Sequence, residues 1–233
     1  MKIRKGFVSN SSSSSFIVYN KEEKEVDYSQ YRKYFKEEED FPYLEEPCYS
    51  ITLPLRQNGR LKSFGWEFSR RSSFEDKVNY LFLQIMELKE SKYLKTNSDF
   101  RDFYYNLRSN FEGALRLLLK KGLGIGNCFL DIKIDYNALY WNSIYKNIIF
   151  IDHQSLWDEK FFYDYSSKRK PKELFFNQYP WISTKEGVLQ YLLGDSYIQG
   201  GNDNDDPTEE FLESRSLLEK YMEEVKKEKD LKE

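Results

Sequence analysis

Two consecutive stretches of apolar residues at helical spacing fix the middle of this chain. Val78, Leu81, Phe82, Ile85, Met86 and Leu88 recur along one face of a helix that runs to about residue 94. Beyond Ser98, the residues Phe100, Phe103, Tyr104, Leu107, Phe111, Ala114, Leu115 and Leu118 form a second stripe. Ser72-Ser73-Phe74-Glu75 supplies a capping box for the first helix, satisfying N–H groups that have no partner within the helix. A helix with one apolar stripe must bury it against another layer, and the flanking sequence supplies strands.

Phe16-Ile17-Val18-Tyr19 and Phe7-Val8 are β-prone runs separated by a polar loop. Residues 28–38 read as a helix inside a charged, Tyr-rich excursion. Ile51, Leu53 and Leu55 alternate with polar residues and lead to Asn58-Gly59, the dipeptide of a tight hairpin turn. Pro54 places the first strand of that hairpin at a sheet edge, because proline cannot donate to a ladder. Residues 128–135 and 147–151 read as further strands, and Thr184 caps a helix through Leu193. Gly122 reads as the left-handed stop of the second central helix. Asp206, Pro207 and Glu209 open a last helix, with Phe211, Leu218, Met222 and Val225 on one face. The fold class is therefore α+β: an antiparallel or mixed sheet packed by two central helices, with a C-terminal amphipathic helix. Residues 1–206 form a single domain, and residues 207–233 form the charged helix.

Composition narrows the class. The chain has 233 residues, and its 36 Lys and Arg against 39 Asp and Glu leave a net charge of −3, which excludes a basic nucleic-acid coat. Aromatic residues make up 18 % and fall on the stripes, so they are assigned to the core and nucleic-acid binding is disfavoured. Arg70-Arg71 and Lys168-Arg169-Lys170 are the only dense basic patches. Cys48 and Cys128 lack metal-ligand spacing and read as reduced thiols. The basic start is followed by serines rather than an apolar stretch, and no segment is long and apolar enough to span a bilayer. The expectation is a soluble protein of a bacterial host cytoplasm, with the virion as the other location.

Three local patterns resemble chemistry and have simpler readings. Gly122-Leu123-Gly124-Ile125-Gly126 follows a helix and precedes a strand, the reverse of a phosphate-binding loop. His153 is the single histidine, and its neighbour Asp152 points to the opposite strand face. The calcium-loop template fails after Asp203, because Thr208 stands where glycine is required.

Two segments remain unexplained. Ser9, Asn10, Ser11, Ser12 and Ser13 are candidate ligand-binding residues, since hydroxyls and backbone N–H groups in a turn cradle anions and Lys2, Arg4 and Lys5 add charge. The same serines can instead bond their own backbone. Asn202 is a candidate ligand-binding residue, and Asp203 and Asp205 are candidate ligands for a divalent cation such as Mg²⁺ or Ca²⁺.

Arg4 to Phe16 matches the pattern R-x-G-F-V-S-N-S-S-S-S-S-F, and on it the chain resembles a family of uncharacterised proteins of tailed bacteriophages and low-GC bacterial genomes. Members of that family also carry a segment similar to Ser196–Asn204. The resemblance implies a phage-type origin and transfers no activity. The expected function is that of a non-enzymatic accessory protein binding a phage or host macromolecule, with a protein partner. A phosphate- or metal-dependent enzyme built on the two loops is the alternative, and a domain with an N-terminal sorting, processing or modification signal is the third. The basic start and acidic distal loop further suggest that the two segments adjoin.

Overall fold

Both apolar stripes form the helices they predict. α1 spans Phe74–Glu90 and α3 spans Ser98–Leu123, with the short α2 (Tyr93–Thr96) between them. The computed structural model describes residues 14–22, 24–39, 46–53, 56–57, 60–61, 68–90, 93–96, 98–125, 127–134, 180–201 and 207–231. The expected strands at 7–8 and 147–151, His153 and the second basic patch lie outside these residues.

The capping box sits one residue later than the sequence suggests. Ser73 Oγ accepts the Asp76 N–H at 3.1 Å and donates to Asp76 Oδ2 at 2.8 Å. Phe74 causes the shift: it is buried at the first helical position, its ring 5.0 Å from Tyr31 and 4.7 Å from Tyr34, so the cap falls at Ser73. At the other end, α3 continues through Gly122. The left-handed residue is Gly124 (φ 66°), whose N–H reaches Lys120 O at 3.0 Å. Gly122 is instead a point of close approach, where a Cβ would lie 2.9 Å from Tyr28 O.

Two further helices follow. α4 (Lys185–Leu193) is capped by Thr184, as expected, with Oγ1 accepting the Gly187 N–H at 3.1 Å. α5 (Glu209–Asp230) is capped by Thr208 rather than Asp206: the Phe211 N–H reaches Thr208 Oγ1 at 3.2 Å, and Pro207 stands before the cap. Residues 28–38 divide into a 3-10 helix, Tyr28–Tyr34, and a strand, β2 (Phe35–Glu38). Ladder bonds available beside Ile51–Cys48 end the helix early.

The described strands form two three-stranded sheets and a hairpin. β1 (Ser14–Val18), β8 (Tyr197–Gly201) and β6 (Ser69–Arg71) lie in the order β1-β8-β6, antiparallel throughout. β2, β3 (Cys48–Leu53) and β7 (Phe129–Ile134) form a mixed sheet in that order, with β3 and β7 parallel. β4 (Arg56–Gln57) pairs with β5 (Arg60–Leu61) on either side of the expected Asn58-Gly59 turn, which lies outside the described residues. The strand before Pro54 is central rather than an edge, because β3 ends at Leu53 and the proline removes no ladder bond from it.

One buried cluster joins all of this. Ile17 and Ile198 from the first sheet, Ile51 and Leu53 from the second, Leu81 from α1, Leu107 and Phe111 from α3, and Phe211, Tyr221 and Val225 from α5 belong to it. Each such side chain contributes about 1.5–3 kcal/mol by leaving water. α5 is thus part of the common core along its Phe211–Val225 face. Among the described residues no helix is long and apolar enough to cross a membrane.

Two polar groups inside this framework set its pH response. Lys77 on α1 is 2 % exposed, donates from Nζ to Gly194 O at 2.7 Å beyond the end of α4, and has its pKa pushed down to about 8 by desolvation. Its charged form is penalised in the folded state, so between about pH 8 and the ordinary value of 10.5 the unfolded chain binds more protons and stability rises with pH. Glu38 behaves oppositely, because hydrogen bonds from Lys133 and Ser50 hold its carboxyl below the ordinary 4.5. That contribution is present above pH 4.5 and is lost as pH falls through the lowered value. By urea denaturation, the wild-type protein should therefore gain about 2–3 kcal/mol of stability relative to Lys77→Met between pH 8 and pH 10, while the raised Cys48 and Cys128 thiols and buried tyrosines act in the opposite direction in both proteins. A difference between the two proteins that does not change with pH would contradict this role of Lys77.

Candidate functional site

The two segments that stand out in the sequence meet in one ladder. Ser14, the last but one serine of the N-terminal run, pairs with Gly201; Ser15 pairs with Gly200, Phe16 with Gln199, Ile17 with Ile198 and Val18 with Tyr197. In the sequence, Ser13 precedes Ser14 and Asn202 follows Gly201. Ser9, Asn10, Ser11, Ser12, Ser13, Asn202, Asp203 and Asp205 themselves lie outside the described residues.

The paired parts of both segments have identifiable structural duties. Phe16 meets Phe211 of α5 edge to face at 5.6 Å, and Phe68 meets the same ring at 5.3 Å. Gly201 lies under that ring so closely that a Cβ would come within 2.3 Å of it, so the backbone of β8 reaches α5 only because residue 201 has no side chain. Ser196 Oγ accepts the Asn20 N–H at 2.9 Å and ties the chain leaving β1 to the start of β8. Arg70 of β6 stacks on Tyr197, 3.8 Å from the ring centroid.

Beneath α5 runs a buried polar chain. The Tyr197 hydroxyl is 2.9 Å from Ser214 Oγ, Ser214 Oγ donates to Gln199 Oε1 at 3.0 Å, and Gln199 Nε2 donates to Gly200 O at 2.9 Å. Ser214 and Gln199 are fully buried. This polar chain fixes how α5 sits on the sheet, because sliding the helix by one residue would take Ser214 Oγ away from the Tyr197 hydroxyl and Gln199 Oε1 in the core. The sequence carried one signal for it: Ser214 interrupts the apolar face between Phe211 and Leu218.

On the mixed sheet, Glu38 of β2 accepts a short hydrogen bond from Ser50 of β3 and an ion pair from Lys133 of β7 at 2.7 Å, spanning all three strands. The Glu38 carboxyl is lowered and the Lys133 ammonium raised, so the set is locked in its charged form and offers no proton near neutral pH. Cys48 and Cys128 are both free, and burial pushes both thiols up, away from the thiolate a nucleophile needs. Among the described residues no group of three or more His, Cys, Asp or Glu side chains could hold a metal ion.

A cleft of about 580 Å³ opens at the opposite end of β1. Of its lining residues Tyr19 stacks on Trp181 at 5.1 Å, and Trp181 stacks in turn on the fully buried Tyr191 at 4.8 Å. Lys21, Lys24 and Lys121 line it with Glu22 and Glu186, and Tyr221 of α5 closes one side. These residues come from segments far apart in sequence, each with an ordinary local reading, so no sequence signal marks the site.

No family model matches the chain, and the searches of curated proteins and of solved structures find no match either.

Two substitutions probe the ladder and its cover. Ser214→Ala leaves Gln199 Oε1 and the Tyr197 hydroxyl without their shared partner and should lower the unfolding free energy by about 1–3 kcal/mol. Gly201→Ala forces a methyl group against Phe211 and should cost about 1–3 kcal/mol as well. Both are read by urea denaturation, and wild-type stability in either variant would contradict the packing described.

Proposed function

We propose that this is a non-enzymatic accessory protein of phage type that binds a phage or host protein through two segments, Ser9–Ser13 and Asn202–Asp205, which adjoin the paired residues Ser14 and Gly201 in the sequence. The observation that carries this reading is the pairing of Ser14 with Gly201. The ladder, the Phe211 ring and the Ser214 hydrogen bonds fix the spacing of Ser14 and Gly201, and recognition residues are commonly carried on connections anchored to such a scaffold. One segment brings hydroxyl and amide groups, the other carboxylates. These groups are suited to hydrogen bonding with a partner's backbone and basic side chains. The phage-type assignment rests on the N-terminal motif, and the placement of Phe16 in the core argues that the motif is more than a detachable signal.

Affinity capture from phage-infected cells, with the full chain as bait, tests the reading. The triple variant Ser11→Ala, Ser12→Ala, Ser13→Ala and the double variant Asp203→Ala, Asp205→Ala should both lose the same captured protein while keeping the wild-type melting temperature. Retention by either variant would separate the segments and contradict a shared surface. A melting temperature raised by Mg²⁺ or Ca²⁺, and no longer raised in Asp203→Asn, would replace this reading with the metal-dependent one.

A further inference from the structure

We propose that the open edge of β7 pairs with the β7 edge of a second copy of this chain, antiparallel and centred on Ile132, joining the mixed sheets of two molecules. β7 ends the order β2-β3-β7, and its one ladder among the described residues is the parallel ladder to β3. The direction of its free groups follows from a single bond. The Phe129 N–H donates to Pro47 O at 3.0 Å and Phe129 stands beside Cys48, so the amide and carbonyl of Phe129 both face β3. Alternation along the strand turns those of Asp131 and Lys133 toward β3 as well, and turns the N–H and C=O of Leu130, Ile132 and Ile134 outward. An edge of unpaired groups of this kind is a template for a further strand.

Charge selects the occupant and its register. Asp131 is exposed and has no ion pair among the described residues, and the Lys133 side chain is 42 % exposed even while it bonds Glu38. Outward-facing residues must meet outward-facing residues, so a two-fold ladder between copies is centred on a residue of β7. Centred on Asp131 or on Lys133, it sets like charges directly opposite each other; centred on Leu130, it gives neither a counter-charge. Centred on Ile132, it sets each Asp131 opposite Lys133 of the other copy, with Ile132 facing Ile132 and Leu130 facing Ile134. The three donors of an ammonium let Lys133 hold Glu38 and the incoming Asp131 together. Phe129, 44 % exposed on the same strand face as these charges, gains cover from the far end of the second strand. An unrelated extended peptide would bond the same backbone groups without supplying this alternation of charge.

Analytical ultracentrifugation of the full chain between about 5 and 200 μM tests this. The mass should rise with concentration toward twice the 28.1 kDa of one chain. Asp131→Lys, a change at an exposed position, should keep the wild-type melting temperature and weaken self-association by about 10-fold or more. Lys133→Glu, carried with Glu38→Gln so that no carboxylate clashes inside the chain, should weaken it likewise. Mixing the two variants should restore a dimer, because each then presents the charges the other lacks. Hydrogen exchange gives a readout that needs no variant: the amides of Leu130, Ile132 and Ile134 should gain protection as concentration rises, while those of Phe129, Asp131 and Lys133 are protected throughout. A chain that stays monomeric at about 200 μM, a dimer indifferent to Asp131→Lys, or protection of the Leu130 and Ile132 amides that does not depend on concentration would overturn the proposal.

Discussion

The antiparallel pairing of β1 with β8 is the constraint on which the rest of the structure depends. It joins residues 14–18 to residues 197–201 and makes the last described strand the centre of the first sheet. Closing a contact over so long a stretch carries a loop entropy that grows only logarithmically with length, so a short ladder, buried along all of β8, can offset it. What makes this ladder strong is the layer on each side. Ile17 and Ile198 enter the common core, while Phe16, Tyr197, Gln199 and Gly201 meet α5. Lys77 then ties α1 to the backbone just before β8, at Gly194.

The glycine and serine content of the two motifs acquires a physical meaning here. Gly201 serves close packing under Phe211, and the buried Ser196 accepts the Asn20 N–H. The stretch Ser196–Gly201 is buried and serves the core. Whatever recognition the distal segment performs begins after Gly201, where the sequence turns from packing residues to Asn202, Asp203 and Asp205.

Helices were legible in the sequence because a stripe at helical spacing is a local signal: Val78 to Leu88 and Phe103 to Leu118 fold as their spacing dictates. Their ends were less so, since a cap is chosen by what the first helical residue must bury. Phe74 set the cap at Ser73 instead of Ser72, and Thr208 displaced Asp206. The partnership of strands was not legible, because β1 with β8 and β3 with β7 are long-range choices made by the whole core. The opposite charges of the two segments hinted at proximity, yet the ladder beside them is held by apolar burial and hydrogen bonds. The cleft lay beyond any local pattern, since Tyr19, Lys121, Trp181 and Tyr221 meet only after the fold is complete.

Native-state hydrogen exchange followed residue by residue tests the central claim most directly. If β1 and β8 form one cooperative unit with α5, the hydrogen-bonded amides of residues 14–18 and 197–201 should exchange with the same opening free energy, equal to that of global unfolding. Fast exchange across β1 with full protection retained in β8 would show that the N-terminal strand is a peripheral attachment and would contradict the account.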